Sequence, residues 1–548
     1  MVSPLFLLRL QIKKPTNRLS IKINFGYRKM TSSKNHPEWL FNLPMALLSG
    51  FLLFLSFPKF GTGVLAWVAL VPLLQALRDV KPLQGFKIGF ITGMIANVGI
   101  LYWISYVVVQ YGYLPFYIGF AVMLLLAAYL SLYTACFAMG VVFLRTGGNA
   151  ILFAAPLLWT VLDYARSHLL TGFPWETLGC SQFLHENIIQ IADIAGTYGI
   201  TFAIVLINTA LYEVLAARFQ RRKYPVVGIV TACAVLAVIY GYGHVRKAEI
   251  HKSMNSIPSV EVVLIQGNID QNMKWDARYQ SETLNIYRSL SLRSIPAREG
   301  LFVWPETAVP FYFESPETLR AEIVDLARTS GRTLLFGSPR YEEENGIKSY
   351  MNSAYLLRSD GEIGGRYDKV HLVPYGEYVP LRQLFPFAGK LVAGIGDFRP
   401  GERRDPLMAD GRRFGVLICY EVIFPDAARD YKRKHADVLV NITNDAWFGR
   451  TSAPYQHLSM AVFRAVENRL FLVRAANSGI SAVIDPTGTI LSQTQLFERT
   501  VLKNEVKFID ENSIYAAYGD WFVYLCGLLL ILNIFIQTRR KNHDRRNS

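Results

Sequence analysis

The most informative segment of the chain reads Phe414-Gly415-Val416-Leu417-Ile418-Cys419-Tyr420-Glu421. Its first five residues form a short apolar run with the length and composition of a buried β-strand. A thiol, Cys419, follows this run directly, and α/β proteins gather their chemistry at the carboxyl ends of their strands. The segment therefore predicts a strand that presents a reactive cysteine at its end.

The residues on either side of this segment repeat the pattern. Apolar runs alternate with amphipathic stretches such as Pro316–Thr329 and His457–Asn468, which is typical of an α/β fold. Two further runs end beside a polar residue, Glu306 in one case and Asn444 in the other. The predicted strands include Val260–Gln266, Leu301–Trp304, Thr333–Phe336, Phe414–Ile418, Val438–Ile442 and Ile480–Ile484. We assign residues 259–508 to one α/β domain.

The rest of the chain is much more apolar than this domain. Of the 548 residues 51% are hydrophobic, and the mean hydropathy is +0.23. A membrane-spanning helix needs about 20 mostly apolar residues. About seven candidate segments lie in residues 43–245, and one more lies in residues 517–537. They are Leu43–Phe57, Val64–Leu77, Ile88–Val109, Phe116–Leu144, Ala150–Tyr164, Ile194–Ala217, Tyr224–Tyr242 and Trp521–Gln537. The sequence therefore predicts a multi-pass α-helical membrane bundle joined to an α/β domain.

The distribution of cations predicts the orientation of the chain. Lysine and arginine cluster in residues 1–42, after the second, fourth and sixth apolar segments, and in residues 538–548. With seven spans before the α/β domain and one after it, all these clusters fall on one side, which the positive-inside rule makes cytoplasmic. We expect a basic cytoplasmic arm, a basic cytoplasmic tail and an α/β domain on the outer face. Both Met1 and Met30 are candidate start residues.

The net charge and the cysteines exclude several classes of function. The formal charge of +15 fits the membrane topology, and no nucleic-acid-binding motif accompanies it, so no nucleic acid partner is expected. The spacing of the five cysteines indicates neither a disulfide framework nor a zinc site. Cys419 alone lies in the α/β region. The sequence predicts no metal and no cofactor.

Three segments of the α/β region together supply a carboxylate, an ammonium and a thiol. They are Trp304–Pro310, Tyr367–Pro380 and Gly415–Glu421. A thiol attacks only as its thiolate, so Cys419 needs a base, and Glu306 in a poorly solvated site can take the proton. Lys369 would favour the thiolate and then donate to the oxyanion of a tetrahedral intermediate. Each residue alone is more often an ordinary surface or core residue, but together they indicate a covalent catalyst that needs no histidine.

Further short motifs accompany these three segments. They are Ile265–Ile269 followed by Lys274-Trp275, Gly172–Trp175 with Gly179 and Gln182, and Asn444–Gly449 followed by His457, Arg464, Glu467 and Asn468. In this order and on this arrangement of apolar helices, the motifs resemble the apolipoprotein N-acyltransferase family of the nitrilase (carbon–nitrogen hydrolase) superfamily. The resemblance extends over nearly the whole chain from about Pro44. Soluble nitrilases and amidases lack the helical bundle and the final span.

The resemblance implies a nitrilase-like αββα sandwich at residues 259–508, and it assigns roles within a Glu-Lys-Cys triad. Glu306 would be the general base, Lys369 the oxyanion stabiliser and Cys419 the acyl-accepting nucleophile. Supporting positions implied in the same way are Glu377 as a second carboxylate, Tyr420 and Glu421 beside the nucleophile, and Trp275 and Trp447 on mobile loops over the pocket.

The resemblance also implies a reaction and a location. A fatty acyl group would pass from a phospholipid, phosphatidylethanolamine, to Cys419 as a thioester. It would then pass to the α-amine of the N-terminal diacylglyceryl-cysteine of an apolipoprotein, which is the last step of lipoprotein maturation. The protein would lie in the bacterial inner membrane, with its catalytic domain in the periplasm.

Two other functions stay open at the level of the residues. A membrane-tethered amidase or nitrilase could use the same three groups, although a tether needs one span rather than eight. A transporter or receptor with an external sensing domain is the other alternative, because Asp163, Asp193 and Glu213 lie within or beside apolar segments. No inverted repeat in the sequence supports it.

Overall fold

The computed structural model describes residues 42–145, 150–315, 317–379 and 398–547. Apart from residue 42, the predicted N-terminal arm and both candidate start residues lie outside the described residues. The α-helices are α1 Leu43–Leu55, α2 Val71–Ala76, α3 Pro82–Leu101, α4 Trp103–Gly112, α5 Phe116–Leu144, α6 Ala150–His168, α7 Glu186–Ile189, α8 Ala192–Gln220, α9 Val226–Asn255, α10 Gln271–Lys274, α11 Gln280–Leu292, α12 Glu317–Ser330, α13 Pro425–Arg433, α14 Ala453–Asn468, α15 Ile514–Tyr518 and α16 Trp521–Asn547.

In the part of the chain that the structure describes, the strands lie between α9 and α15 and form two six-stranded sheets, ordered β12-β1-β2-β3-β4-β5 and β11-β10-β9-β8-β7-β6. They are β1 Ser259–Gln266, β2 Gly300–Val303, β3 Thr333–Glu344, β4 Ile347–Leu357, β5 Ile363–Asp368, β6 Leu407–Ala409, β7 Arg412–Ile418, β8 Val438–Thr443, β9 Phe471–Ala476, β10 Ala482–Ile484, β11 Ile490–Gln493 and β12 Thr500–Lys507. The neighbours β1, β2 and β3 are parallel, as are β7, β8 and β9. The carboxyl ends of these central strands therefore share one edge in each sheet.

The two sheets pack face to face between two layers of helices. Alternate side chains of a strand point to opposite faces of its sheet. In β1, Val263 and Ile265 belong to a core with Leu284 of α11 and Ile323 of α12, whereas Val262 packs into the core that the second sheet shares. Helices α13 and α14 cover the outer face of that second sheet. The predicted αββα sandwich is confirmed.

The helical part also agrees with the prediction. Among the described residues, five helices are long and apolar enough to cross a membrane, so the chain is a membrane-integral protein. These helices are Pro82–Leu101, Phe116–Leu144, Ala192–Gln220, Val226–Asn255 and Trp521–Arg539. Two further apolar stretches are shorter: Leu43–Leu55, which is α1, and Val64–Ala76, in which a 3-10 turn at Val64–Trp67 precedes α2. The number of spans and the domain limits stay predictions.

Most helix limits differ from the predicted segments by a few residues, and three differences are larger. The predicted segment Ile88–Val109 corresponds to two helices, α3 and α4, which meet at Tyr102. Hydropathy does not separate them, because the apolar composition continues through the junction. Helix α9 runs beyond Tyr242 to Asn255, and α16 runs beyond Gln537 into the predicted tail. Hydropathy marks the apolar part of a helix, whereas the polar turns that continue it carry no such signal.

Asp193, one of the acidic residues that suggested a transport path, ties the helical part to the α/β domain. Its carboxylate accepts hydrogen bonds from Arg469, which directly follows α14 and lies 2.7 Å away, and from Tyr242 at 2.8 Å. Arg246 of α9 lies 3.2 Å from the same carboxylate. These partners explain the burial of Asp193 without a transport path, because a buried charge needs opposite charge and hydrogen bonds.

Candidate active site

Cys419 lies directly after β7, where the sequence predicts it, and begins a 3-10 turn that ends at Ile423. Its φ of +53° lies in the left-handed region, which costs a residue other than glycine roughly 1–2 kcal/mol. Strained strand-to-helix turns of this kind recur at nucleophiles, because they set the side chain at the top of the sheet. The backbone of Cys419 thus has the geometry of a nucleophile position.

The predicted carboxylates and ammonium come together in one buried cluster. The Nζ atom of Lys369 lies 2.9 Å from Oε1 of Glu377 and 3.6 Å from Oε1 of Glu306. The side-chain amide of Asn352 donates to both carboxylates, at 2.8 Å to Glu306 and 2.9 Å to Glu377. The backbone N–H of Asn444 donates to the other oxygen of Glu306 at 2.9 Å. Both carboxylate oxygens of Glu306 are therefore held by hydrogen bonds.

The charges of the cluster act in opposite directions on the thiol. Burial raises the pKa of Cys419, the carboxylate of Glu306 raises it further, and the ammonium of Lys369 lowers it in part. For Lys369, burial would lower the pKa, but Glu377 and Glu306 outweigh burial and the pKa is raised. The resting state is thus a protonated thiol beside a permanent cation, so the thiol needs an adjacent base to become a nucleophile.

Glu421 connects the lysine loop to the nucleophile turn. Its Oε1 accepts from the hydroxyl of Tyr367 at 2.7 Å and from the N–H groups of Val370 and His371. Its Oε2 accepts from the N–H of Ile418 at 2.8 Å. Burial raises the pKa of Glu421, and these donors oppose that rise. Glu421 therefore holds the segment after β5 against the end of β7, which fixes the position of the lysine loop relative to the thiol.

The aromatic residues predicted around the pocket occupy different surroundings. Tyr420 is buried and packs edge-on against Phe424, at 5.1 Å between ring centroids. Trp275 is 40% exposed. The half-buried Trp447 packs against Tyr111 of α4 at 4.7 Å, and the hydroxyl of Tyr111 donates to the carbonyl of Ala446 at 2.8 Å. The loop that carries Trp447 therefore rests on the helical part, and the predicted mobility of both loops stays a prediction.

A buried polar network, to which the sequence assigned no role, supports the nucleophile turn from behind. Nε2 of His457 lies 3.2 Å from the carbonyl oxygen of Cys419, and Nδ1 lies 2.9 Å from Nη2 of Arg474. The same Nη2 lies 2.7 Å from Oδ2 of Asp445. Burial lowers the pKa of His457, and Arg474 lowers it further. Nδ1 also lies 3.0 Å from Oδ1 of Asp445, an oxygen that accepts from the hydroxyl of Thr443. In a neutral ring, Nε2–H donates to the Cys419 carbonyl and Nδ1 accepts from Arg474.

Replacing Asp445 with asparagine is expected to destabilise the α/β domain, because it leaves the fully buried Arg474 without its carboxylate. Breaking a buried ion pair on one side typically costs about 3–5 kcal/mol. Thermal unfolding in detergent should show a clear fall in apparent melting temperature. The exposed Asp510, substituted in the same way, is the control. Equal melting temperatures for Asp445→Asn and wild type would show that the network is not stabilising.

Two residues of the cluster, Asn352 and Lys274, have no role in the sequence-based prediction. Asn352 lies inside β4, where the sequence pattern does not mark it as a functional residue. The pairing of β4 with its neighbouring strands brings its side chain to Glu306. Lys274 was identified as part of a motif, but the motif does not indicate that the side chain is buried. Within the described ranges, no group of three or more histidine, cysteine or acidic residues is arranged to hold a metal ion.

Comparisons with known proteins identify first the class and then the family. A family model described as carbon–nitrogen hydrolase matches residues 262–513, which is the class that the αββα sandwich and its site define. Residues 49–210 match the model described as apolipoprotein N-acyltransferase N-terminal domain. The chain belongs to the apolipoprotein N-acyltransferase family and is an acyltransferase.

Individual relatives cover almost the whole chain. The apolipoprotein N-acyltransferase of Geobacter metallireducens is 48% identical over 91% of this chain and 95% of its own. The apolipoprotein N-acyltransferase of Azotobacter vinelandii is 34% identical over 92% of this chain and 96% of its own. Among solved structures, an amidase of the nitrilase superfamily from Nesterenkonia is 23% identical, covers 46% of this chain and 93% of its own, and has a TM-score of 0.36.

Proposed function

We propose that this protein transfers a fatty acyl group from a phospholipid, phosphatidylethanolamine, to the α-amine of the N-terminal diacylglyceryl-cysteine of an apolipoprotein. The transfer has two halves, with the acyl group held on Cys419 as a thioester between them. Glu306, Lys369 and Cys419 carry the chemistry. Glu377, Tyr420 and Glu421 support the site, and Trp275 and Trp447 contact substrates.

One observation carries this proposal beyond membership of the family. The segment from Asn444 to Trp447 holds Glu306 through the N–H of Asn444, and it also packs on Tyr111 of α4. The carboxylate proposed as general base is therefore one short segment away from the apolar helical part. A hydrolase of small amides has no need for this proximity. A transferase whose donor and acceptor are both anchored by lipid chains does need it, because neither chain then has to cross water.

In the first half of the reaction, Glu306 takes the proton of the Cys419 thiol as Sγ attacks the ester carbonyl of the phospholipid. The carbonyl oxygen becomes an oxyanion, which the ammonium of Lys369 stabilises. Collapse of the tetrahedral intermediate breaks the ester C–O bond. The leaving alkoxide takes the proton from Glu306 and departs as a lysophospholipid, leaving the thioester.

In the second half, the α-amine of the apolipoprotein attacks the thioester carbonyl, and Glu306 accepts its proton. Lys369 again stabilises the oxyanion. The C–S bond breaks, the thiolate of Cys419 regains a proton from Glu306, and an amide remains on the apolipoprotein. Glu306 ends each half as a carboxylate, so a single base serves both.

The proposed location is the bacterial inner membrane, with the α/β domain in the periplasm and both termini in the cytoplasm. The α/β domain follows the carboxyl end of α9 and precedes the amino end of α16. The basic turn from Arg221 to Lys223 precedes α9, and Arg539 lies near the far end of α16. Both basic segments therefore lie at the helix ends away from the α/β domain, which the positive-inside rule assigns to the cytoplasm.

Intact-mass measurement after incubation with phosphatidylethanolamine vesicles alone tests the proposal. We expect a gain of one fatty acyl group that hydroxylamine removes and that maps to Cys419. Adding a diacylglyceryl-cysteine peptide should return the protein to its original mass and add the acyl group to the peptide. Unmodified protein with intact phospholipid, together with ammonia release from short amides, would favour the amidase instead.

A further inference from the structure

In residues 273–275 the apolar side chains are exposed and the charged side chain is buried. Met273 and Trp275 are 37% and 40% exposed, whereas Lys274 between them is 1% exposed. Lysine is almost never fully buried without a partner, because burial removes the hydration of its ammonium. Among the described residues, its side chain forms one hydrogen bond, from Nζ to the backbone carbonyl of Glu306 at 3.1 Å, and no ion pair. The fold thus holds an ammonium beside the proposed general base.

The position of Lys274 is fixed by a second contact of the same short helix. Gln271, at the start of α10, accepts a hydrogen bond from the side-chain amide of Asn444 at 2.7 Å. The backbone N–H of Asn444 in turn donates to the carboxylate of Glu306. Helix α10 therefore contacts the surroundings of Glu306 through both Gln271 and Lys274.

The charges of Glu306, Glu377 and Lys369, which contact one another, balance only when Lys274 is counted as the fourth. Two further carboxylates nearby are satisfied by groups outside these four, Glu421 by its own hydrogen-bond donors and Asp445 by Arg474. Glu306 and Glu377 supply two negative charges, whereas Lys369 supplies one positive charge. With Lys274 the formal charges of these four groups sum to zero, and the sum with the thiol included stays zero when a proton moves from the thiol to Glu306. Without Lys274 the cluster carries an excess negative charge, which opposes a thiolate and an oxyanion in a poorly solvated site.

We propose that Lys274 is a positioning residue for the reaction, the second buried cation that balances the two carboxylates and lowers the free-energy cost of deprotonating Cys419. Neither the mechanism above nor the family comparison assigns it a role. The inference rests on the proposed role of Cys419 as nucleophile. The other titratable groups that face the cluster are Lys369, Glu377, Glu421, His371 and Asp445.

The test is the pH dependence of Cys419 alkylation by iodoacetamide in full-length protein without substrate, with the modified peptide identified by mass. In Lys274→Met the curve of Cys419 alkylation rate against pH should shift to higher pH by about one unit or more. Alkylation at neutral pH should then be at least about tenfold slower than in wild type. Burial lowers the pKa of Lys274 to about 8. The difference in alkylation rate between wild type and Lys274→Met should therefore be largest below that pH. It should become smaller above that pH, where Lys274 of the wild type loses its charge.

The control and the second variant separate this role from a structural one. Lys348→Met removes an exposed lysine of β4 and should leave the profile unchanged. Lys274→Arg keeps its charge at high pH, so its Cys419 should react faster than wild type above about pH 8. Coincident profiles for wild type and Lys274→Met, or a difference that is constant with pH, would overturn the proposal. If Lys274→Met does not fold, the Lys274→Arg variant decides the test. Alkylation of its Cys419 no faster than in wild type above about pH 8 would overturn the proposal. Because no acyl transfer is measured, the result is independent of the proposed substrates.

Discussion

Replacing Cys419 with alanine is expected to abolish the acyl-enzyme and to reduce acyl transfer by at least about 10³-fold. The substitution removes Sγ, the atom proposed to carry the acyl group, and adds no bulk at a backbone position with φ of +53°. The variant is incubated with phosphatidylethanolamine vesicles, and its intact mass is measured. The mass should stay unchanged while the phospholipid remains intact.

A matched control comes from the same chain. Cys233 lies exposed on α9, so Cys233→Ala makes the same substitution at a place without a proposed role. This control should form the thioester at the wild-type rate, and the melting temperatures of both variants should match wild type. A hydroxylamine-sensitive acyl group on Cys419→Ala would place the nucleophile elsewhere and end the proposed mechanism.

The positions of Cys419 and Glu306 in the fold could be predicted because their signals are local. An apolar run of strand length followed by a polar residue specifies a strand and its end within a few positions, and the structure has β7 ending at Ile418 and β2 ending at Val303. The order of parallel strands then brings such ends to one edge. Hydropathy predicted the helical part in the same way, because membrane helices must be apolar over their length.

The supporting groups could not be predicted, because their contacts join residues far apart in the chain. Asn352 reaches both carboxylates only because β4 pairs with β3 and β5, and nothing in its own neighbourhood indicates this. His457 reaches the Cys419 carbonyl from α14 in the same manner. The burial of Lys274 opposes the general tendency of lysine, so any argument from polarity places it at the surface.

Replacing Glu306 with glutamine is expected to slow thioester formation by about 10²–10⁴-fold, because it removes the base that accepts the thiol proton. Both carboxylate oxygens of Glu306 accept hydrogen bonds, one from Asn352 and one from the N–H of Asn444. Glutamine has the same shape but turns one acceptor into a donor, so one of these contacts is lost. The measurement is the rate of acyl gain on Cys419 in a single turnover with phosphatidylethanolamine.

Glu306→Gln has two opposing effects on the rate of thioester formation: it lowers the pKa of the thiol, and it removes the proton acceptor. The charge of Glu306 is the second cause, after burial, of the raised pKa of Cys419, so glutamine lowers the pKa of the thiol. A nearby charge typically shifts a pKa by about 1–3 units. Burial alone still keeps the thiol protonated at neutral pH, so the loss of the proton acceptor dominates and the rate falls.

The rate of thioester formation by Glu306→Gln should rise more steeply with pH than that of wild type, because hydroxide replaces the missing base. Glu299→Gln, an exposed change just before β2, should behave as wild type. A Glu306→Gln variant with wild-type rate, or a faster one, would show that the carboxylate acts only through its charge.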